Sequence, residues 1–212
     1  MAVLVNCLGI SAHSQGVRLN AYGNYVFDDN VNDYYSSTSY FDGKIKGGFL
    51  YGGGLEFRVH EMYGVELIYL RLDTKAPIDY YDFNAGSPKS TELDLTINYI
   101  LAGGVRSMQT SKKVETYGGF MLGVGILDAK NPDNGKSNDA TKFAWGIRLG
   151  ANIWASESFG LKLQAQMLSI TQGAGGGLYF GTSGGGAGVS TYSSMLQFAL
   201  GGGLTFKLGH KK

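Results

Sequence analysis

From Val17 onward, apolar and polar residues alternate with period two, which sends successive side chains to opposite faces of an extended strand. Leu93, Leu95, Ile97, Tyr99, Leu101 and Val105 stand against Glu92, Asp94, Thr96, Asn98 and Arg106. Phe143, Trp145, Ile147, Leu149, Ala151 and Ile153 stand against Lys142, Gly146, Arg148, Gly150 and Asn152. The same rhythm runs through Phe159–Met167 and closes in Leu196, Phe198, Leu200, Leu204, Phe206 and Leu208. Earlier strands are predicted over 17–27, 45–59, 62–74 and 114–128, with a phase change at Leu67-Ile68 that predicts a β-bulge. Eight strands of about ten residues or more are long for a soluble sheet and match a tilted bilayer crossing.

The predicted connections alternate in length. Asp28–Lys44, Lys75–Ser90, Lys130–Ala140 and Thr171–Ser194 are long, whereas His60-Glu61, Ser107–Lys113 and Ala155–Ser158 are short. Short turns at one end and long loops at the other are the habit of outer-membrane barrels, and an even strand number puts both termini on the short-turn side.

Alternation does not say which face points outward, and a lipocalin would use the same pattern inside out. Three features place the apolar face outside. Charges of both signs share the polar face, among them Arg18, Lys46, Arg71, Lys142 and Lys207 against Asp73 and the carboxylates named below. That face also carries many glycines, such as Gly54 and Gly150, which a bore only as wide as its side chains requires. Aromatics gather near strand ends (Tyr25, Phe27, Phe57, Phe143, Phe159, Phe206), as an interfacial girdle does. On this orientation Leu95→Arg would harm assembly far more than Thr96→Ala.

Composition narrows the class. The chain has 212 residues, 34 of them Gly and 3 Pro, with 43% hydrophobic residues, which fits one β-rich domain and excludes collagen and disorder. No apolar run reaches the roughly 18 residues of a membrane helix. A net charge of +1 leaves no basic footprint for nucleic acid. Residues 1–14 read as a secretory signal peptide that lacks a basic start, with an apolar stretch from Ala2 to Ile10 that contains Cys7 and small residues at Ala12 and Ser14; residues 15–212 form the barrel domain.

Together these residues resemble the OmpX/OmpA-like family of eight-stranded, porin-like outer-membrane β-barrels over roughly Gly16 to Leu208. The resemblance implies an all-β, eight-stranded antiparallel up-and-down transmembrane barrel with short periplasmic turns and long extracellular loops, in the Gram-negative outer membrane. It implies outer-membrane lipid as surroundings and recognition of the last strand by the barrel-assembly machinery, with Phe206 or Leu208 as the signal. The Gly209-His210-Lys211-Lys212 tail keeps that aromatic from being terminal.

Candidate chemistry is sparse. Glu56, Glu66, Glu92, Asp94 and Glu115 are expected to pair across the lumen with Arg58, Arg106, Arg148 and Lys162, as a filled polar interior or, alternatively, a proton or small-ion path. Tyr34, Tyr35, Tyr40, Tyr80, Tyr81 and Tyr179 are candidate contacts on the long loops. The glycine runs 173–177 and 184–188 lack the Lys-Ser/Thr of a phosphate loop, and the carboxylates of 28–33 lack the spacing of a calcium loop. His13, His60 and His210 do not fall at the extracellular rim, which disfavours a Ser-His enzyme, and no metal or cofactor is expected. The expected function is a non-enzymatic structural or surface-interaction barrel. The alternatives are a narrow channel, an accessory subunit of an envelope complex, or a soluble lipocalin-like binder.

Overall fold

The structure, a computed structural model, describes residues 16–36, 39–82, 87–132, 135, 137–171 and 195–208, and for 30–36, 39–44, 78–82, 87–90 and 138 it describes the backbone alone. The leader, Cys7, both glycine runs, Tyr179 and the basic tail lie outside the described residues. The strands are β1(Gly16–Val26), β2(Asp29–Ser36), β3(Ser39–Ile45), β4(Gly48–Arg58), β5(Tyr63–Asp82), β6(Ser87–Gln109), β7(Val114–Lys130), β8(Ser137–Trp154), β9(Phe159–Ile170) and β10(Met195–Leu208).

Eight of these close a ring. β1 pairs with both β4 and β10, the order runs on through β9, β8 and β7 to β6, and the β5–β6 pairing shuts the cylinder; every pairing is antiparallel. Closure satisfies every ladder N–H and C=O within the wall, which is what lets an extended chain stand in hydrocarbon. The turns 59–62, 110–113 and 155–158 sit at one end, with Gly16 and Leu208 beside them.

Two of the expected long loops are largely strand. β2 and β3 form a hairpin over part of 28–44, and β3 leans on β5 with Phe41 opposite Tyr80. The ladder of β5 and β6 continues without a break from Tyr63↔Arg106 to Asp82↔Ser87, through the segment expected to loop at 75–90. No bulge interrupts β5 at Leu67-Ile68, because its register with β4 and β6 is continuous. The pattern shifts there because both faces are apolar: Val65, Leu67 and Tyr69 point out, while Ile68, Leu70 and Leu72 point in.

The wall is uneven in height. β5, β6, β7 and β8 have 20, 23, 17 and 18 residues, against 11, 11, 12 and 14 for β1, β4, β9 and β10. A tilted bilayer crossing takes about 9–11 residues, so the first group rises well past the membrane. The outer surface records where the membrane ends. Nearer the short turns it is an apolar belt, including Leu19, Leu55, Leu67, Ile100, Leu122, Leu149, Leu161 and Leu200, all exposed. Further along, the outward positions become Arg71, Asp73 and Lys75 on β5, Asn98, Thr96 and Asp94 on β6, and Asp128 and Lys130 on β7.

The inner surface reverses in step. Over the same rising segment Leu70, Leu72, Leu93, Leu95, Ile97, Tyr99, Leu127 and Ala129 are buried inside the cylinder, in one cluster with Leu50, Leu168 and Ile170. The expectation that Leu93, Leu95, Ile97, Tyr99, Leu101 and Val105 face lipid is therefore overturned, since all six point inward. Past the membrane both surroundings change sign: water lies outside, and the interior becomes an ordinary hydrophobic core. Leu95, at 2% exposure, belongs to that core, so Leu95→Arg would break packing rather than report on lipid.

Leu149 reports on lipid directly, being 66% exposed in the middle of the belt. Leu149→Arg is expected to lose about 2–4 kcal/mol of folding stability in vesicles, whereas Asp128→Ala, outward on the rising wall, leaves urea unfolding unchanged. Equal midpoints for the two variants would contradict this placement of the membrane.

Candidate functional site

The lumen is built in three storeys by the inward parity of each strand. On β1 the inward residues climb from Arg18 through Asn20, Tyr22 and Asn24 to Val26; on β9 they climb from Lys162 through Gln164 and Gln166 to Leu168 and Ile170. Charge gives way to amides, and amides to hydrocarbon.

The lowest storey is a paired ionic floor. Arg18 donates to both carboxylate oxygens of Glu115 at 2.9 and 3.1 Å, and Trp154 Nε1 donates to the same group at 3.2 Å. Arg58 bridges Glu56 at 3.1 Å and donates to Ser107 Oγ at 2.8 Å. One step higher, the Glu66 carboxylate accepts from Asn20 at 2.7 Å, from the Tyr22 hydroxyl at 2.5 Å and from Arg148, which also donates to the Tyr22 oxygen at 2.9 Å. Lys162 Nζ lies 4.5 Å from the centre of the Tyr117 ring, a cation–π contact. Glycines make room for these groups: a Cβ on Gly150 would meet the Tyr117 ring at 2.7 Å, and one on Gly54 would overlap the Glu66 carboxylate. Buried charges persist only when paired and hydrogen-bonded, and this floor meets that condition for Glu66, Glu56 and Glu115.

The middle storey is amide chemistry. Gln164 donates to Asn24 at 3.0 Å and to Gln166 at 3.2 Å while accepting from the Tyr117 hydroxyl at 2.8 Å, and Tyr99 donates to Gln197 at 2.7 Å. Above it the hydrophobic cluster fills the bore.

The structure thus gathers Glu56, Arg58, Glu66, Glu115, Arg148 and Lys162 in the lumen. It places Glu92, Asp94 and Arg106 outside, correcting their expected pairing there. Glu92 and Asp94 lie on the rising wall, where outward polarity is what water favours, and Arg106 lies outward at the turn end opposite Tyr63. Arg18, already placed on the polar face from the sequence, completes the floor with Asn20, Tyr22, Tyr117 and Trp154, and these last four were missed as a group. Parity alone would have found them, since Arg18, Asn20 and Tyr22 share the phase opposite Leu19 and Ala21, and Trp154 shares that of Asn152.

Outside, Glu92 takes hydrogen bonds from Lys46 at 2.7 Å and Lys75 at 2.5 Å, which pull its carboxyl down to about 2. Arg71 clamps Asp73 at 2.7 and 2.9 Å, with Thr96 and Tyr51 donating to the same carboxylate at 2.9 and 3.1 Å. Asp28 and Asp29 are engaged at the rim, accepting from the backbone N–H of Gly47 at 2.7 Å and Leu196 at 2.9 Å. Phe206 rests on Phe159, ring centres 5.2 Å apart, on the lipid side, and Leu208 is exposed beside it. The backbone sets Tyr35 opposite Tyr40, next to Tyr34↔Phe41, while Tyr80 and Tyr81 lie in the upper part of β5.

No family model and no curated protein sequence matches the chain. Solved structures do. Neisserial surface protein A is 16% identical with a TM-score of 0.61, covering 91% of this chain and 97% of that one. The outer membrane protein OprG from Pseudomonas aeruginosa is 11% identical with a TM-score of 0.57, covering 94% and 99%. The chain is an eight-stranded, antiparallel up-and-down barrel of the outer-membrane type.

Two outcomes follow from these contacts. Glu66→Gln, which leaves Arg148 buried beside a neutral amide, is expected to cost about 3–5 kcal/mol in urea unfolding from vesicles, and Glu66→Gln with Arg148→Gln to recover part of it. Because Glu92 is held low, its pairing favours the folded state above the ordinary value of 4.5 and is lost only as pH falls through about 2. An NMR titration should show the Glu92 carboxyl ionised down to that range, and near 4.5 once Lys46 and Lys75 are both glutamine.

Proposed function

We propose that the protein is an integral outer-membrane barrel without enzymatic activity, whose lumen is a structural core and whose working surface is the part standing beyond the membrane. The observation that carries this reading is the filling of the bore. An ion crossing it would have to displace the Arg148–Tyr22–Glu66 knot and then enter a storey of Leu50, Leu70, Leu72, Ile97 and Leu127, where no water replaces its hydration shell. The uneven wall supports the second half: about half the circumference continues as sheet beyond the belt and presents paired charge and backbone to the surroundings.

On this reading the barrel lives among outer-membrane lipids, and Phe206 with Leu208 serves as the last-strand signal for assembly. Tyr34, Tyr35, Tyr40, Tyr80 and Tyr81 belong to the hairpins that would meet a surface partner. His60 sits in the 59–62 turn, at the end remote from those hairpins, which supports a role other than hydrolysis.

Purified folded protein in planar bilayers should show no unitary conductance steps in molar KCl. Discrete, reproducible steps would replace this reading with the narrow channel.

A further inference from the structure

Arg106 stands on the lipid-facing side of the wall, outward and exposed, one ladder step from the turn 59–62. Its direct partners are Tyr63 on β5 and Gly118 on β7. The guanidinium carbon lies 5.9 Å from the centre of the exposed Tyr63 ring. The neighbouring outward positions, Gly104, Met108, Thr116, Gly118 and Tyr63, include no carboxylate. Lys112 and Lys113 in the next turn add two further cations to this rim, against Glu61 in the 59–62 turn.

On the belt side of Arg106 the wall drops to bare backbone at Gly104, which faces outward between the exposed Val65 and Phe120. A Cβ built on Gly104 would meet nothing within 4 Å, so a shallow dip lies between those two side chains, on the strand between Arg106 and Ala102. A cation at the rim, an aromatic ring beneath it and a smooth dip leading into the apolar belt match an anionic phospholipid: phosphate at the guanidinium, acyl chain along the dip.

We propose that Arg106, Tyr63 and Gly104 form a binding site for one anionic phospholipid of the leaflet on the short-turn side. The proposal rests on the membrane reading above. It goes beyond general immersion in lipid, because it commits to a single headgroup position. Arg106 supplies a forked charge-assisted contact to phosphate oxygens, and Tyr63 holds the guanidinium near the interface plane.

The test uses the full folded chain, incorporated into vesicles of phosphatidylethanolamine with phosphatidylglycerol and released for native mass spectrometry. The wild type is expected to retain phosphatidylglycerol, Arg106→Gln to lose about tenfold in retention, as for one charge-assisted contact, and Lys130→Gln, at the opposite end of the wall, to match the wild type. Gly104→Leu, which fills the recess and keeps the charge, should also lower retention. Equal retention by wild type and Arg106→Gln, or an equal loss in Lys130→Gln, overturns the site while leaving the membrane reading intact. Failure of the folded wild type to enter vesicles overturns the membrane reading, and the site with it.

Discussion

A polypeptide that crosses hydrocarbon in extended form has to satisfy every backbone hydrogen bond within itself, and a closed antiparallel ring is the solution available to strands. The β5–β6 ladder that shuts this ring fixes the rest. Closure gives each strand one face toward the surroundings and one toward a bore about as wide as the side chains that line it. Side-chain chemistry then follows height, because the surroundings change along the axis while parity does not.

Within the membrane the outer face is apolar and the inner face holds ion pairs. Beyond it, the outer face holds Arg71–Asp73 and Lys46–Glu92–Lys75, and the inner face is leucine and isoleucine. The two sets of ion pairs differ in energetic meaning. Exposed pairs such as Lys46–Glu92 contribute little to stability and chiefly keep the wall soluble. Glu66, buried between Asn20, Tyr22 and Arg148, would be costly to leave unmatched, so the floor specifies one arrangement of the bore.

The strand rhythm was legible in the sequence: eight staves, three short turns and the parity of most residues are set by period-two alternation. What the sequence left ambiguous was sign. Leu93 to Val105 alternate as cleanly as Leu196 to Leu208, yet the first set faces the interior and the second faces lipid, because alternation fixes which residues share a face and carries no mark of which face turns outward. That one ambiguity misplaced Glu92, Asp94 and Arg106 together, and Lys46, Arg71 and Asp73, expected on the inner polar face, likewise stand on the outer one. The upper parts of β5 and β6 were read as loop for a related reason: Lys75-Ala76-Pro77 and Pro88 are turn residues by composition, and only the pairing of the two strands makes them a ladder. The floor was half visible. Its carboxylates and arginines stand out by charge, whereas Tyr22, Tyr117 and Trp154 share its inward parity but carry no charge to mark them, and join it through hydroxyl or indole donors.

The reversal of sign along a single strand is the account's central claim, and β6 is where it shows most sharply. Single cysteines placed from 94 to 102 in a chain lacking Cys7, reconstituted in vesicles, can be probed with a lipid-soluble and a water-soluble thiol reagent. Labelling by the lipid-phase reagent at 100 and 102, by the aqueous reagent at 94 and 96, and by neither at 95, 97, 99 and 101 is the predicted result. Lipid-phase labelling at the odd positions would contradict it.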